Sequence, residues 1–152
     1  MRTKLALLLA ALALVAGCGG GSSRLTKAEF EQHIQTDGQA LQKAVAKLGA
    51  AKSLTELATQ VGAAETAVKA AADDLDSVKP PADAETPTKT IVKALRSIDA
   101  QLKQLEQAAK DKDLIGVQKI AKTIQSSSDI KAAQKASNEL KQKGYKIGVI
   151  GQ

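Results

Sequence analysis

A single histidine is the first place to look for chemistry in these 152 residues. On a helix, Glu29 and Asp37 stand four residues before and after His33, so the three side chains share a face. A histidine between two carboxylates could hold a metal ion or pass a proton. The same pattern also describes a solvated helix face with weak charge pairs. A second acidic group, Asp73, Asp74 and Asp76 with Asp83 and Glu85 just beyond, offers the oxygen ligands of a hard cation such as Ca²⁺. It lacks the spacing and turn glycine of an EF-hand, and nearby lysines could simply balance it. Ser126, Ser127 and Ser128 supply hydroxyls, with Lys122 or Lys131 as a base, yet no glycine elbow accompanies them. Serines in such a run equally cap or kink a helix. There is no phosphate-binding loop and no dinucleotide fingerprint. The expectation is therefore no catalytic residue, no metal site, no cofactor and no enzymatic activity.

The residue whose surroundings do specify a reaction is Cys18, the only cysteine, which excludes an intramolecular disulfide. Met1–Lys4 is short and basic, and Leu5–Val15 is an unbroken apolar run of eleven residues. A membrane-spanning helix needs about twenty, so this run has the length of a signal-peptide core. Val15-Ala16-Gly17-Cys18 resembles the bacterial lipobox, an aliphatic residue and two small ones before the cysteine. That resemblance implies a thioether-linked diacylglycerol on Cys18 Sγ and cleavage before Cys18, often followed by acylation of the new amine. The other reading is an ordinary signal peptide with an incidental cysteine. Two or three acyl chains anchor firmly where one binds marginally. Gly19-Gly20-Gly21-Ser22-Ser23 has the composition of a flexible tether. The expected organisation is a lipoprotein signal peptide over 1–17, a lipidated cysteine and tether over 18–24, and a helical domain over 25–152. The expected location is the extracytoplasmic side of the cell membrane, held there by lipid on Cys18.

The formal charge of +6 falls to +4 once Arg2 and Lys4 leave with the signal peptide. This excess is modest and spread along the chain, and only Phe30 and Tyr145 are aromatic. A nucleic-acid protein concentrates its charge and often adds stacking aromatics, so no nucleic-acid partner is expected. Lys131, Lys135, Lys141, Lys143 and Lys146 make the end of the chain basic. They suit either an anionic envelope polymer or lipid headgroup, or merely a solvated face with cations at a helix C-terminus. An interior built from Leu, Ile, Val and Ala suits packed helices.

The apolar period is helical throughout. Thr26 and Glu29 form a capping box, with Leu25 and Phe30 as its hydrophobic staple. Phe30, Ile34, Leu41, Val45 and Leu48 then mark the buried face of helix one, and Gly49 is a plausible stop. Ser53 and Glu56 cap helix two, whose seam is Leu54, Leu57, Val61, Ala64, Val68, Ala71, Leu75 and Val78. Pro80-Pro81 ends it, with 82–85 as loop. Thr86 is the expected cap of helix three, with Pro87 at its first position and Ile91, Leu95, Ile98, Leu102 and Leu105 as its stripe. Helix four starts near Asp113 with Leu114, Val117, Ile120 and Ile124, and at the serines it kinks or stops and is recapped. Gly144 closes the last helix, and Tyr145, Ile147 and Val149 alternate as an extended tail would. Short connections make neighbours antiparallel, so the expected fold is all-α, an up-down-up-down four-helix bundle with a short C-terminal tail.

Leu25-Thr26-Lys27-Ala28-Glu29-Phe30 after a lipid tether, Pro80-Pro81-Ala82-Asp83 between helices and the closing Gly144-Tyr145-Lys146-Ile147 resemble small helical lipoproteins of high-GC Gram-positive bacteria. The resemblance covers most of the mature chain and implies address and fold, without an activity. It also implies that a cysteine pair carried by relatives has been lost here, its positions matching Gly38 and Gly148. The leading functional expectation is a non-enzymatic, membrane-anchored interaction or spacer module whose partner is an envelope protein or anionic polymer. The alternative is a ligand-binding lipoprotein with a cavity near Gly38, Ala64 and Ala71 for a lipid or small molecule. Self-association through the seam of helix two is a further alternative.

Overall fold

A computed structural model describes residues 23–148. The expected signal peptide, Cys18 and most of the expected tether lie outside the described residues. Five α-helices follow one another: α1 (Lys27–Leu48), α2 (Leu54–Ser77), α3 (Glu85–Lys110), α4 (Leu114–Gln125) and α5 (Ser128–Gln142). No strand occurs among the described residues.

Local chemistry sets most helix ends. Thr26 accepts from the Glu29 amide at 3.3 Å while Glu29 accepts from the Thr26 amide at 2.8 Å, so the capping box closes. Ser53 accepts from the Glu56 amide at 3.1 Å, but Glu56 returns its bond to the Lys52 amide, one residue earlier than a reciprocal box requires. Asp113 accepts from the Gly116 amide at 2.9 Å and starts α4. At the serines the chain stops and is recapped. Ser126 turns its hydroxyl back to the Lys122 carbonyl at 2.9 Å, and Ser127 accepts from the Asp129 amide at 3.2 Å to begin α5. The expected cap of helix three is corrected. A 3₁₀ turn over Ala82–Ala84 feeds directly into α3, whose N-cap is Ala84 with no side-chain bond, and Thr86 is already inside the helix. Pro87 thus stands third in α3, still within the first turn, where no amide is owed to the helix.

α5 ends in a Schellman motif. The Tyr145 amide reaches the Leu140 carbonyl at 3.0 Å, the Gly144 amide reaches Lys141 at 2.9 Å, and Gly144 sits at φ +79°. An alanine there would carry a Cβ in left-handed backbone, 3.1 Å from Lys27 Nζ. Gly144→Ala should therefore cost about 1–2 kcal/mol in urea unfolding. A loss near zero would show that the tail does not leave the helix this way.

The helices form an up-down-up-down four-helix bundle in which α4 and α5 share the fourth position. The Leu25 amide bonds the Lys79 carbonyl at 2.7 Å, and Lys143 Nζ donates to the Asp83 carbonyl at 2.6 Å. One pole therefore gathers the start of α1, the end of α2, the start of α3 and the end of α5. α3 is the hub and packs against α2, α4 and α5, while α1 packs against α2. Phe30, Val61, Pro87 and Leu140 are the largest fully buried side chains. The tail runs extended along α1 with Tyr145 and Ile147 buried and Lys146 and Gly148 exposed, as the alternation predicts; Val149 lies outside the described residues. Phe30 and Tyr145 meet edge to face, 5.7 Å between centroids.

Two seam assignments fail. Val45 of α1 and Leu114 of α4 are each 60 % exposed rather than buried. Their helices lack a neighbour on that side, because no comparable packing joins α1 to α4 among the described residues.

Candidate functional site

The chain's histidine does meet carboxylates, though mostly not the ones beside it on its own helix. His33 Nδ1 lies 2.7 Å from Asp74 Oδ2 of α2. An ionised carboxylate only accepts, so Nδ1 carries the proton in this bond. Antiparallel packing of α1 on α2 brings the pair together, since His33 flanks the Ile34 position and Asp74 the Leu75 position of the two apolar stripes. Glu29 is turned away, because its carboxylate accepts from both the amide and the hydroxyl of Thr26 at 2.8 Å. Those two bonds from Thr26 also lower its pKa.

Asp37 completes the group. It is half-buried, with Oδ2 out of reach of solvent and of any hydrogen-bond donor. Burial, and next the Asp74 charge, push its pKa up to about 6, against a smaller opposing pull from His33. These residues line an open cleft of about 460 Å³ between α1 and α2, together with Leu25 and Thr36. Asp37 can take up or release a proton near pH 6, beside the contact between α1 and α2. Among the described residues, no three His, Cys, Asp or Glu side chains converge as a metal site would require.

The second acidic group is dispersed, each member to its own cation or donor. Asp73 accepts from Lys69 at 2.6 Å, Asp76 from Arg96 at 2.6 Å, and Glu85 from Arg24 at 2.7 Å and Lys89 at 2.8 Å. Hydrogen bonds from Lys89 and Arg24 bring the Glu85 pKa down to about 2. Asp83 accepts from the Tyr145 hydroxyl at 2.6 Å, which lowers the Asp83 pKa. Ser126 and Ser127 spend their hydroxyls on helix ends, as above. Of the C-terminal lysines, Lys143 is engaged by Glu139 at 2.7 Å and by the Asp83 carbonyl.

What sequence spacing did not reveal is the pole around Tyr145. Its ring lies against Phe30 and under Lys27 Nζ at 4.6 Å. Burial, then the bond to Asp83, push the Tyr145 pKa up to about 12. The neutral phenol is thus favoured by folding, a contribution present below pH 10 and lost as pH rises through 12. Absorbance of tyrosinate near 295 nm should therefore rise about two pH units later in the native chain than in urea. A native midpoint near 10 would mean that the tail is not docked.

Gly38 and Gly148 both line one groove of about 540 Å³ between α1 and the tail. The interior cavity expected near Gly38, Ala64 and Ala71 is lined by Gly38 and Ala71 but has a volume of about 10 Å³, room for about one water and far below an acyl chain. Ala64 is buried elsewhere in the core. No known protein family, curated protein or solved structure matches this chain, so the His33–Asp74–Asp37 cleft stands on its own geometry.

Proposed function

We propose that the chain is a bacterial cell-envelope lipoprotein, related to the small helical lipoproteins of high-GC Gram-positive bacteria and held on the extracytoplasmic face of the cell membrane by lipid on Cys18. Its bundle serves as a non-enzymatic interaction or spacer module. The observation that carries this reading is the polarity of the folded part. The chain enters at one pole, where Arg24 is held by Glu85 and the Pro80 carbonyl and Leu25 by Lys79. Immediately before that point the sequence supplies a Gly/Ser tether and the lipobox-like cysteine. Val45 lies twenty residues further along α1 than Leu25, about 30 Å away at 1.5 Å per residue. Exposed apolar residues therefore stand far from the anchor. No described helix is long and apolar enough to cross a membrane.

The test is metabolic labelling with an alkyne-tagged palmitate in a bacterial host, comparing the natural chain with Cys18→Ser. The expected result is a labelled, processed chain in the membrane fraction and loss of both label and processing in the variant. A processed but unlabelled chain in the culture fluid would overturn the anchor.

A further inference from the structure

One side of α1 is held by a helix and another by the end of the chain. α1 packs against α2, and no comparable packing joins it to α4 or α5 among the described residues. Near the anchor pole the tail closes the remaining side. Tyr145 and Ile147 are buried there. The Lys146 backbone between them is fixed twice, its amide donating to Glu31 at 2.8 Å and its carbonyl accepting from Gln35 at 2.7 Å.

Glu31 and Gln35 begin a row that runs along one edge of α1. Steps of four, three, four and three residues lead from Glu31 through Gln35, Gly38 and Gln42 to Val45. The tail already follows this row, since Gly38 and Gln42 line the same groove as Lys146, Ile147 and Gly148. The groove is open at this point: a Cβ built on Gly38 or on Gly148 meets nothing within 4 Å. Next on the row stands Val45, largely exposed, with Leu41 half-buried beside it.

Val149, Ile150, Gly151 and Gln152 follow Gly148, with no charged side chain and no proline among them. Extended chain advances about 3.3 Å per residue and a helix about 1.5 Å, so four residues reach about 13 Å while Gly38 to Val45 spans about 10 Å. The alternation that buries Tyr145 and Ile147 gives Val149 the same inward side.

We infer that residues 149–152 continue the tail along α1 and lay Val149 and Ile150 on Leu41 and Val45, so that this segment is a strap over the distal stripe of α1. Its start is already held in the groove through Gly148. Docking is therefore intramolecular, with a high effective concentration and little of the cost that a separate molecule meets on association. Any partner of this face of the module has to displace the strap. The inference concerns the folded part and does not depend on lipid at Cys18.

The chain has no tryptophan, so Val45→Trp places a single indole beneath the strap. The test uses the full chain carrying this change in phosphatidylcholine nanodiscs. Its emission should lie at short wavelength and resist quenching by acrylamide. Ending the chain after Gly148, or changing Val149 and Ile150 both to Asp at full length, should raise quenching about threefold and move the emission to longer wavelength as the ring enters water. Helical circular dichroism should be unchanged in both. Ile115→Trp, at a position 80 % exposed on α4, is the reference and should be quenched alike in all three backgrounds. Equal quenching of the Val45→Trp indole with and without the strap would overturn the inference. So would protection that grows with protein concentration, which would assign the face to a second copy, or protection lost on removal of the lipid, which would assign it to the bilayer.

Discussion

Replacing Phe30 by alanine is expected to lower the stability of the fold by about 3–5 kcal/mol, the range for truncating a fully buried aromatic. Phe30 is 0 % exposed and is the point where three separate segments meet. It staples the start of α1, meets Tyr145 of the tail edge to face, and joins the core that Leu140 of α5 completes. Ala-rich helices offer little nearby bulk to refill the space, so the cavity term should stay large. The loss would remove a substantial share of the 5–15 kcal/mol that folds a typical domain. Urea unfolding read by far-ultraviolet circular dichroism measures it. The emission of Tyr145, the only tyrosine in a chain without tryptophan, reports separately on the tail. Phe30→Leu should recover more than half of the loss, because it refills most of the volume. A cost below about 1 kcal/mol for the alanine variant, against that expectation, would mean that α1 and the tail do not pack as described.

The second large effect is pH-dependent and of opposite sign. Asp37→Asn should stabilise the chain by about 1–2 kcal/mol at pH 7.5, after allowance for solvent screening at a half-buried site, and change little at pH 4. The folded-state pKa of Asp37 is raised from 3.8 to about 6. Below pH 4 both folded and unfolded chains hold the proton, and the carboxyl carries no penalty. As pH rises through 6, the native state must bury a charge that Oδ2 cannot share with any donor. Asp74 across the seam disfavours that charge, while His33 on the same helix favours it. Paired urea titrations at the two pH values give the difference directly. Equal stabilisation at both would place the benefit in packing instead of ionisation. A carboxyl kept at a cost to stability, in a cleft joining α1 to α2, marks this site as the place to look for pH-dependent behaviour of the module.

Much of this architecture is local and therefore legible in a linear chain. The capping box at Thr26 and Glu29, the Asp113 cap and the Gly144 stop each link residues within one turn, so their chemistry does not depend on what else packs nearby. Thr86 is the exception. A Thr-Pro pair signals a helix start, but the 3₁₀ turn before it let α3 begin earlier. The apolar period likewise identified the buried stripes of α2 and α3, while Val45 of α1 and Leu114 of α4 stay exposed. The lipobox-like run at Cys18 is legible for the same reason, since it is a contiguous motif.

Tertiary structure decided which of those stripes and side chains found a partner. His33 and Asp74 are 41 residues apart, and no spacing rule links them; only the register of α1 on α2 does. Asp83 looked like one of five clustered acids, yet it accepts the hydroxyl of Tyr145 across 62 residues and helps fix the tail. Val45 and Leu114 carry the same helical signature as Leu41 and Val117 and remain exposed. Periodicity states which face of a helix is apolar, because that depends on 3.6 residues per turn. Whether another surface lies against that face depends on the positions of all the helices, which is why Val45 and Leu114 stay exposed while Phe30 and Ile34 are buried.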